Sequence, residues 1–260
     1  MFNGFWHYRY LLWNLVSRDF KLKYRRSVLG VLWSVLNPLL MCLVYWAVFS
    51  SLMDMRGSGI DNFPVFLMCG QLLFNFFNEA TSSSMSSVLS AAPLLKKVYI
   101  PKYMFPLEKC LFACVNLLFS MVAVLIVMAF SGVWPTATFF LFPFVVLLCL
   151  VFAIGMGLLL SSLTVFFRDI MHLYGVVLTA WMYATPIIYP LDLANLPGII
   201  VAVMQFNPMY YFVTMLRDVL LYNTVPSLSM WLCAAAFAFG FLLLGLWCFK
   251  KKQDRFVLYV

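Results

Sequence analysis

A basic segment that leads directly into a long uncharged run constrains this chain more than any other feature. Residues 18–40 read RDFKLKYRRSVLGVLWSVLNPLL, and five basic residues crowd into positions 18–26. No charged residue follows from Ser27 to Met53. Because Lys and Arg stay on the cytoplasmic side of a membrane helix, this pattern predicts a transmembrane span whose basic end faces the cytoplasm.

The basic segment itself has helical periodicity. Its apolar residues fall on one face and its polar residues on another, which predicts an amphipathic helix in the membrane interface. The alternative is a simple cationic flank without a face. We expect its basic cluster to bind lipid head groups, each cation near an anionic leaflet contributing about 1 kcal/mol. The apolar face consists of Leu12, Val16, Phe20 and Tyr24. The polar face consists of Asn14, Ser17, Arg18, Lys21 and Arg25. The cluster expected to bind lipid head groups consists of Arg18, Lys21, Lys23, Arg25 and Arg26.

Composition excludes a soluble globular domain, because 65% of the residues are hydrophobic and 10% are charged. The predicted topology places 15 of the 17 Lys and Arg residues on the cytoplasmic side and two, Arg56 and Arg217, outside, so the positive charge indicates membrane topology and no nucleic-acid partner. The 7 cysteines show no CxxC or Cys/His spacing, which predicts free thiols and no metal site. The first residues do not have the pattern of a signal peptide, so we expect none.

The predicted fold class is all-α: a polytopic membrane protein with six transmembrane helices and both termini in the cytoplasm. Pro and Gly break the uncharged residues 193–216, so two re-entrant half-helices on the outer side are preferred to a seventh span. In span 4, Gly155 and Gly157 permit close helix packing. The predicted spans are residues 28–53, 63–89, 110–130, 139–164, 171–189 and 226–249. A single transmembrane domain of residues 1–260 is predicted, comprising the interface segment 1–27, spans 1–5 in 28–189, gate half-helices 190–225, span 6 in 226–249 and a cytoplasmic tail 250–260.

One face of span 2 is polar through much of the membrane. Gln71, Asn75, Asn78 or Glu79, Ser82 and Ser86 follow helical spacing, and a charged group at bilayer depth is expected to face protein or water. This face predicts the wall of a polar conduit. The alternative is hydrogen bonding between helices, and a proton-coupled carrier would need Glu79 as its titrating group.

Motifs for catalysis or nucleotide binding do not occur in the sequence, which has no P-loop, GxSxG or HExxH. A glycosyl- or acyltransferase is therefore disfavoured. Two predicted cytoplasmic features suit a docking partner: the basic loop 94–106, with its prolines, and the FFRDI turn at residues 166–170. A separate ATPase is the natural candidate.

The chain resembles ABC transporter permeases of the type-2 exporter class, specifically those that export lipid-linked polysaccharides such as O-antigen, capsule or teichoic acid. The resemblance covers nearly the whole length, in order. An exporter of drugs or lipids in the same class is the nearest alternative. The matching segments are RDFKLKYRRSVLGVLWSVLNPLL, LLKKVYIPKYMFPLEK, FFRDIMHLYGVVLTAWMYATPIIYP, NPMYYFVTMLRDVL and KKKQDRFVLYV.

This resemblance implies a homodimer bound to two ATPase subunits in a bacterial cytoplasmic (inner) membrane, with ATP and Mg held by the partner and no cofactor or catalytic residue in this chain. The substrate would be an undecaprenyl-linked glycan. Residues 11–26 would form the interface helix and 192–222 the extracellular gate helices. The ATPase-coupling residues would be Arg18, Lys21, Arg25, Arg26, Lys96, Lys97, Lys102, Arg168 and Asp169. The predicted channel lining combines aromatic residues with residues from the polar face of span 2. These lining residues are Tyr45, Trp46, Asn75, Glu79, Ser82, Trp181 and Tyr183.

Overall fold

The structure is a computed structural model that describes residues 2–25, 27–52, 62–97, 100–189 and 206–258. Every regular element in these ranges is helical, which confirms the all-α prediction. Short 3-10 helices, Ala137–Leu141 and Gln253–Leu258, precede the α-helix Phe142–Thr164 and follow the α-helix Leu228–Lys252. The α-helices are α1 Phe2–Tyr24, α2 Leu32–Leu52, α3 Phe63–Ser90, α4 Ala92–Leu95, α5 Met104–Phe130, α6 Phe142–Thr164, α7 Ile170–Ala184, α8 Pro208–Leu220 and α9 Leu228–Lys252.

Three helical stretches in the described residues are both long and apolar enough to cross a membrane: Met104–Phe130, Ala137–Thr164 and Leu228–Phe256. The apolar helices Leu32–Val48 and Ile170–Ala184 are shorter. Helix α3 has 28 residues, long enough to cross a hydrocarbon core of about 30 Å, but its polar face lowers its hydropathy. The chain is therefore a multi-pass membrane protein, and the count of six spans stays a prediction.

Helix α3 lies at the centre of the bundle, where it packs against α5, α6 and α8. The pair α6 and α9 is held close by glycine, as the sequence predicts: a Cβ on Gly155 would lie 2.5 Å from the backbone nitrogen of Leu242. At Gly157 a Cβ would lie 2.9 Å from Ser84. Small residues thus let three helices approach more closely than larger side chains allow.

Two helix boundaries differ from the predicted spans because of proline. The predicted span 5 reaches Tyr189, but α7 ends at Ala184 and Thr185 is extended. The residue before a proline is disfavoured in the helical region, and Pro186 follows. Conversely, α5 begins at Met104, six residues before the predicted start of span 3, because a proline such as Pro106 is tolerated in the first helical turn.

A tight elbow joins α1 to α2. Gly30 has a φ of +50°, a conformation that glycine adopts without steric cost. The Gly30 amide donates a hydrogen bond of 3.1 Å to the Ser27 hydroxyl. Helix α2 begins at Leu32 and carries Pro38 inside it. The elbow therefore marks the boundary between α1 and α2.

The basic segments of the chain meet at one end of the bundle, called the basic end below. Asp19 of α1 forms an ion pair with Lys109 of α5. The Lys102 ammonium donates to the Gln253 carbonyl over 2.6 Å. Residues distant in sequence thus bring α1, the loop before α5 and the end of the chain together.

The described half of the predicted gate region is α8, which has a well-formed start. The Asn207 side chain accepts from the Met209 amide at 2.9 Å, and Pro208 occupies the first helical turn. The Asn-Pro pair that predicts a break thus begins a helix. The other predicted half-helix lies outside the described residues, which omit 190–205.

Candidate functional site

A cavity of about 530 Å³ lies between α2, α3, α5 and the end of α7, next to the end of α1. This volume is in the range of small-molecule binding pockets. The lining is mixed, with amides and hydroxyls beside aromatic and aliphatic side chains. The principal polar and aromatic lining residues are Lys23, Tyr24, Trp33, Ser34, Asn37, Tyr45, Gln71, Asn75, Glu79, Asn116 and Ser120.

The wall contributed by α3 is the polar face that the sequence predicts. Gln71, Asn75 and Glu79 recur every fourth residue and so lie on one side of the helix. The opposite side of α3 is buried in the core, where Leu73 and Phe77 are fully enclosed. Ser82 lies one turn further along and is partly exposed, and its hydroxyl donates a hydrogen bond of 3.0 Å to Asn78 Oδ1. It is not among the cavity-lining residues.

Glu79 is held by two partners from other helices. The Lys23 ammonium of α1 lies 2.8 Å from Glu79 Oε1, and the Asn116 amide of α5 donates to the same oxygen over 2.9 Å. One carboxylate thus joins the interface helix to two helices of the bundle. Lys23 and Glu79 are the oppositely charged pair among the described cavity-lining residues, and together they carry no net charge.

Two amide oxygens of the cavity wall are buried acceptors. Neither Gln71 Oε1 nor Asn116 Oδ1 receives a hydrogen bond among the described residues. Asn116 is 4% exposed, and an unpaired buried acceptor costs free energy. Both oxygens are therefore unpaired acceptors enclosed in the wall of the cavity.

The four predicted channel aromatics occupy different environments. Tyr45 lines the cavity. Trp46 is 51% exposed and Tyr183 63% exposed, both on helix faces that turn away from the core. Trp181 packs edge-on against Phe77 at 5.2 Å between centroids, and its indole N–H donates to Asn207 Oδ1 over 2.6 Å. Trp181 is thereby fixed between α3 and the start of α8.

The cations of α1 differ in whether they have an acidic partner. Arg18 and Lys109 both bind Asp19. Burial acts to raise the pKa of Asp19, but hydrogen bonds from Lys109 and Arg18 outweigh it and leave the pKa below the ordinary 3.8. Lys21 and Arg25 are exposed, and Arg26 lies outside the described residues. A shallow groove along α1 is lined by Asn14, Ser17, Arg18, Lys21, Leu22 and Arg25.

The remaining predicted coupling residues lie at the basic end. Lys96 and Lys97 are exposed just after α4, and Arg168 and Asp169 are exposed in the turn before α7. Lys102 differs, because its ammonium is bound to the Gln253 carbonyl. The structure thus places four of these side chains on the surface and one in an internal contact.

Sequence reasoning assigned Arg217 no role beyond an outer charge, but the structure buries it. Its guanidinium donates to the carbonyls of Phe66, Pro186 and Ile187 over 2.7–3.2 Å and lies 3.4 Å from the Phe66 ring centroid. A Cβ on Gly70 would lie 2.9 Å from this group. Arg217 therefore fastens α8 to the ends of α3 and α7. An arginine within an otherwise apolar helix is the sequence signal for such a contact.

Residues 10–221 match the family described as ABC-2 type transporter. The chain belongs to the ABC-2 type transporter family. It is 32% identical over 251 residues to the O-antigen export system permease protein RfbA of Myxococcus xanthus, covering 96% of this chain and 95% of that protein. A protein of the same name from Klebsiella pneumoniae is 27% identical over 95% of this chain and 93% of its own length. The predicted family is confirmed.

Proposed function

We propose that this chain is the membrane-spanning permease subunit of an ATP-driven exporter that moves lipid-linked polysaccharide across a bacterial cytoplasmic membrane. The observation that carries the proposal is the polar and aromatic cavity inside an apolar bundle. Amides, hydroxyls and aromatic rings are the groups that bind sugar rings through hydrogen bonds and stacking. The two relatives are named as O-antigen export permeases, which supports an O-antigen type of cargo.

Two copies of the chain would form the channel. Helix α7 buries just two of its side chains within one copy, Tyr174 and Leu178. Its exposed residues include Leu173, Val176 and Val177, and α2 exposes a similar apolar face. These two helices flank the cavity, so pairing of α2 and α7 with a second copy would enclose a conduit between the copies. Asn75, Glu79 and Tyr45 would then line it from each side.

The basic end would face the cytoplasm. It gathers cations from α1, the loop before α5, the turn before α7 and the end of α9, which matches the positive-inside rule. Both termini would accordingly be cytoplasmic. The proposed single transmembrane domain keeps the divisions 1–27, 28–189, 190–225, 226–249 and 250–260.

The pyrophosphate of an undecaprenyl-linked glycan would approach along the α1 groove. Exposed cations there, Lys21 and Arg25 with Arg18 beside them, attract anionic head groups at the membrane surface. The groove ends near Lys23, which also lines the cavity. A lipid head bound at α1 would therefore stand next to the opening that its sugar chain must enter.

A separate nucleotide-binding subunit would supply the energy, since these 260 residues contain no P-loop. ATP and Mg would bind to that partner, and this chain would hold no cofactor and catalyse no reaction. Lys96, Lys97, Arg168 and Asp169 would contact it at the basic end. The Lys23–Glu79 pair weighs against a proton carrier, because the carboxylate already has a cationic partner.

The test is reconstitution of the chain with a candidate ATPase subunit from the same organism in liposomes that contain a short undecaprenyl-pyrophosphate-linked glycan. A lectin outside reports glycan that crosses the bilayer. We expect lectin binding to increase when ATP is supplied and not to increase with a non-hydrolysable ATP analogue. Absence of ATP-dependent glycan movement, with ATPase activity stimulated instead by small amphiphiles, would favour an exporter of drugs or lipids.

A further inference from the structure

The end of the chain forms a contact that the proposed export mechanism does not use. Residues 250–256 read KKKQDRF, and most of their side chains are at least partly exposed. Phe256 is the exception, at 1% exposed. An apolar side chain that is fully buried in such a polar segment fixes the segment on the surface that covers it.

Phe256 touches the turn before α7. Its ring lies 5.9 Å from the Phe166 centroid and 5.2 Å from that of Phe249, both in edge-on arrangements. Phe256 belongs to a cluster with Val165 at the end of α6 and Val88 near the end of α3. The FFRDI turn, which exposes Arg168 and Asp169, is thus packed directly on the C-terminal segment.

The same segment holds the loop before α5. The Lys102 ammonium donates to the Gln253 carbonyl at 2.6 Å and lies 5.7 Å from the Phe256 ring centroid. Leu95 and Tyr103 pack at the rim of the Phe256 cluster. The loop that exposes Lys96 and Lys97 is therefore anchored to the same segment, through Gln253 and Phe256.

We propose that residues 250–256 fix the relative position of the two loops that engage the ATPase, with Phe256 as the positioning residue. The proposal rests on the proposed function, which places the ATPase on these loops. An ATPase that pushes on two loops moves the helices behind them as one body if the loops are joined, and loses that coupling if they shift separately. Phe256 and Gln253 supply the joint.

The first experiment measures the distance between the two loops. Spin labels are placed at Lys97→Cys and Arg168→Cys in the full chain, with the three partly exposed cysteines, Cys114, Cys233 and Cys248, replaced by serine. We expect one narrow distance distribution, which Phe256→Ala broadens. Arg255→Ala, an exposed neighbour, is the control and leaves it unchanged. A distribution that stays narrow in Phe256→Ala overturns the proposal.

The second experiment measures glycan exported per ATP hydrolysed in the reconstituted complex. We expect Phe256→Ala to retain the ATPase subunit and its ATP hydrolysis but to lower this ratio by about threefold or more. Arg255→Ala keeps the wild-type ratio. A structural defect alone would reduce complex assembly and ATP hydrolysis together. Lost positioning lowers the amount of glycan exported per ATP hydrolysed, while assembly and hydrolysis are retained.

Further variants keep both readouts decisive. If Phe256→Ala does not fold, Lys102→Met removes the bond to Gln253 without opening a core cavity, and it must then broaden the distances and lower the ratio. Phe256→Leu keeps an apolar side chain and is expected to restore both. A wild-type complex that exports no glycan contradicts the proposed function, while the distance measurement still decides whether residues 250–256 join the loops.

Discussion

The Lys23 ammonium lies 2.8 Å from Glu79 Oε1 and joins the interface helix to the polar wall of the cavity. The two residues are 56 positions apart in the chain. Asn116 binds the same oxygen, so one carboxylate links α1, α3 and α5. Glu79 therefore has a structural partner on each side, and its charge is explained without proton transport.

Glu79→Gln separates an ATP-driven exporter from a proton carrier. The variant keeps an acceptor for Lys23 and Asn116 but removes the charge, so we expect ATP-dependent export to persist and to ignore a collapsed proton gradient. The loss of a partly exposed ion pair should lower the free energy of unfolding by about 1 kcal/mol or less. Loss of all transport in Glu79→Gln, with Lys23→Met unaffected, would contradict this interpretation.

Local patterns predicted a good part of this architecture. The faces of α1, the polar side of α3 and the glycines between α6 and α9 each follow from residues close in sequence. The partners of Glu79 and Arg217 could not be predicted in this way, because Lys23, Asn116 and the carbonyls that bind Arg217 lie 30 to 151 residues away. Such contacts depend on helix packing, which helical periodicity does not specify.

Asp19 should make the attachment of α1 sensitive to acid. Because Lys109 and Arg18 leave its pKa below 3.8, its stabilising contribution is fully present above pH 3.8 and is lost as the pH falls through the lower folded value. We expect the protection factors of the α1 amides, which correct for the intrinsic pH dependence of exchange, to fall in that acidic range. Asp19→Asn should have lower protection factors already at pH 7 and show no further loss in acid, whereas Asp254→Asn, which removes an exposed carboxylate, should match wild type.

Arg217→Met should loosen α8. The change leaves the carbonyls of Phe66, Pro186 and Ile187 without their donor, at a cost of about 1–3 kcal/mol for a buried unsatisfied group. Thermal unfolding in detergent measures the loss. Arg217→Lys should recover little, because an ammonium does not match the three directions of a guanidinium. Equal stability of Arg217→Met and the exposed control Arg255→Met would show that this contact contributes nothing.

Gly155→Ala should destabilise the packing of α6 on α9. Its Cβ would lie 2.5 Å from backbone atoms of Phe241 and Leu242, which cannot move as a flexible side chain does. Overpacking of this kind costs about 1–3 kcal/mol. Gly240→Ala in α9 is the matched control, since nothing lies within 4 Å of its Cβ. A melting temperature that falls equally in both variants would rule out the close approach at Gly155.

The central claim, that the glycan passes along the cavity wall, is tested most directly by photocrosslinking during transport. A photoreactive amino acid is placed at Asn75, which lines the cavity, or at Asn78, which is exposed on the same helix but does not line it. Illumination of the reconstituted complex during ATP hydrolysis should attach glycan at position 75 and little at position 78. Export that proceeds with no adduct at 75, or with equal adducts at both positions, would contradict the account.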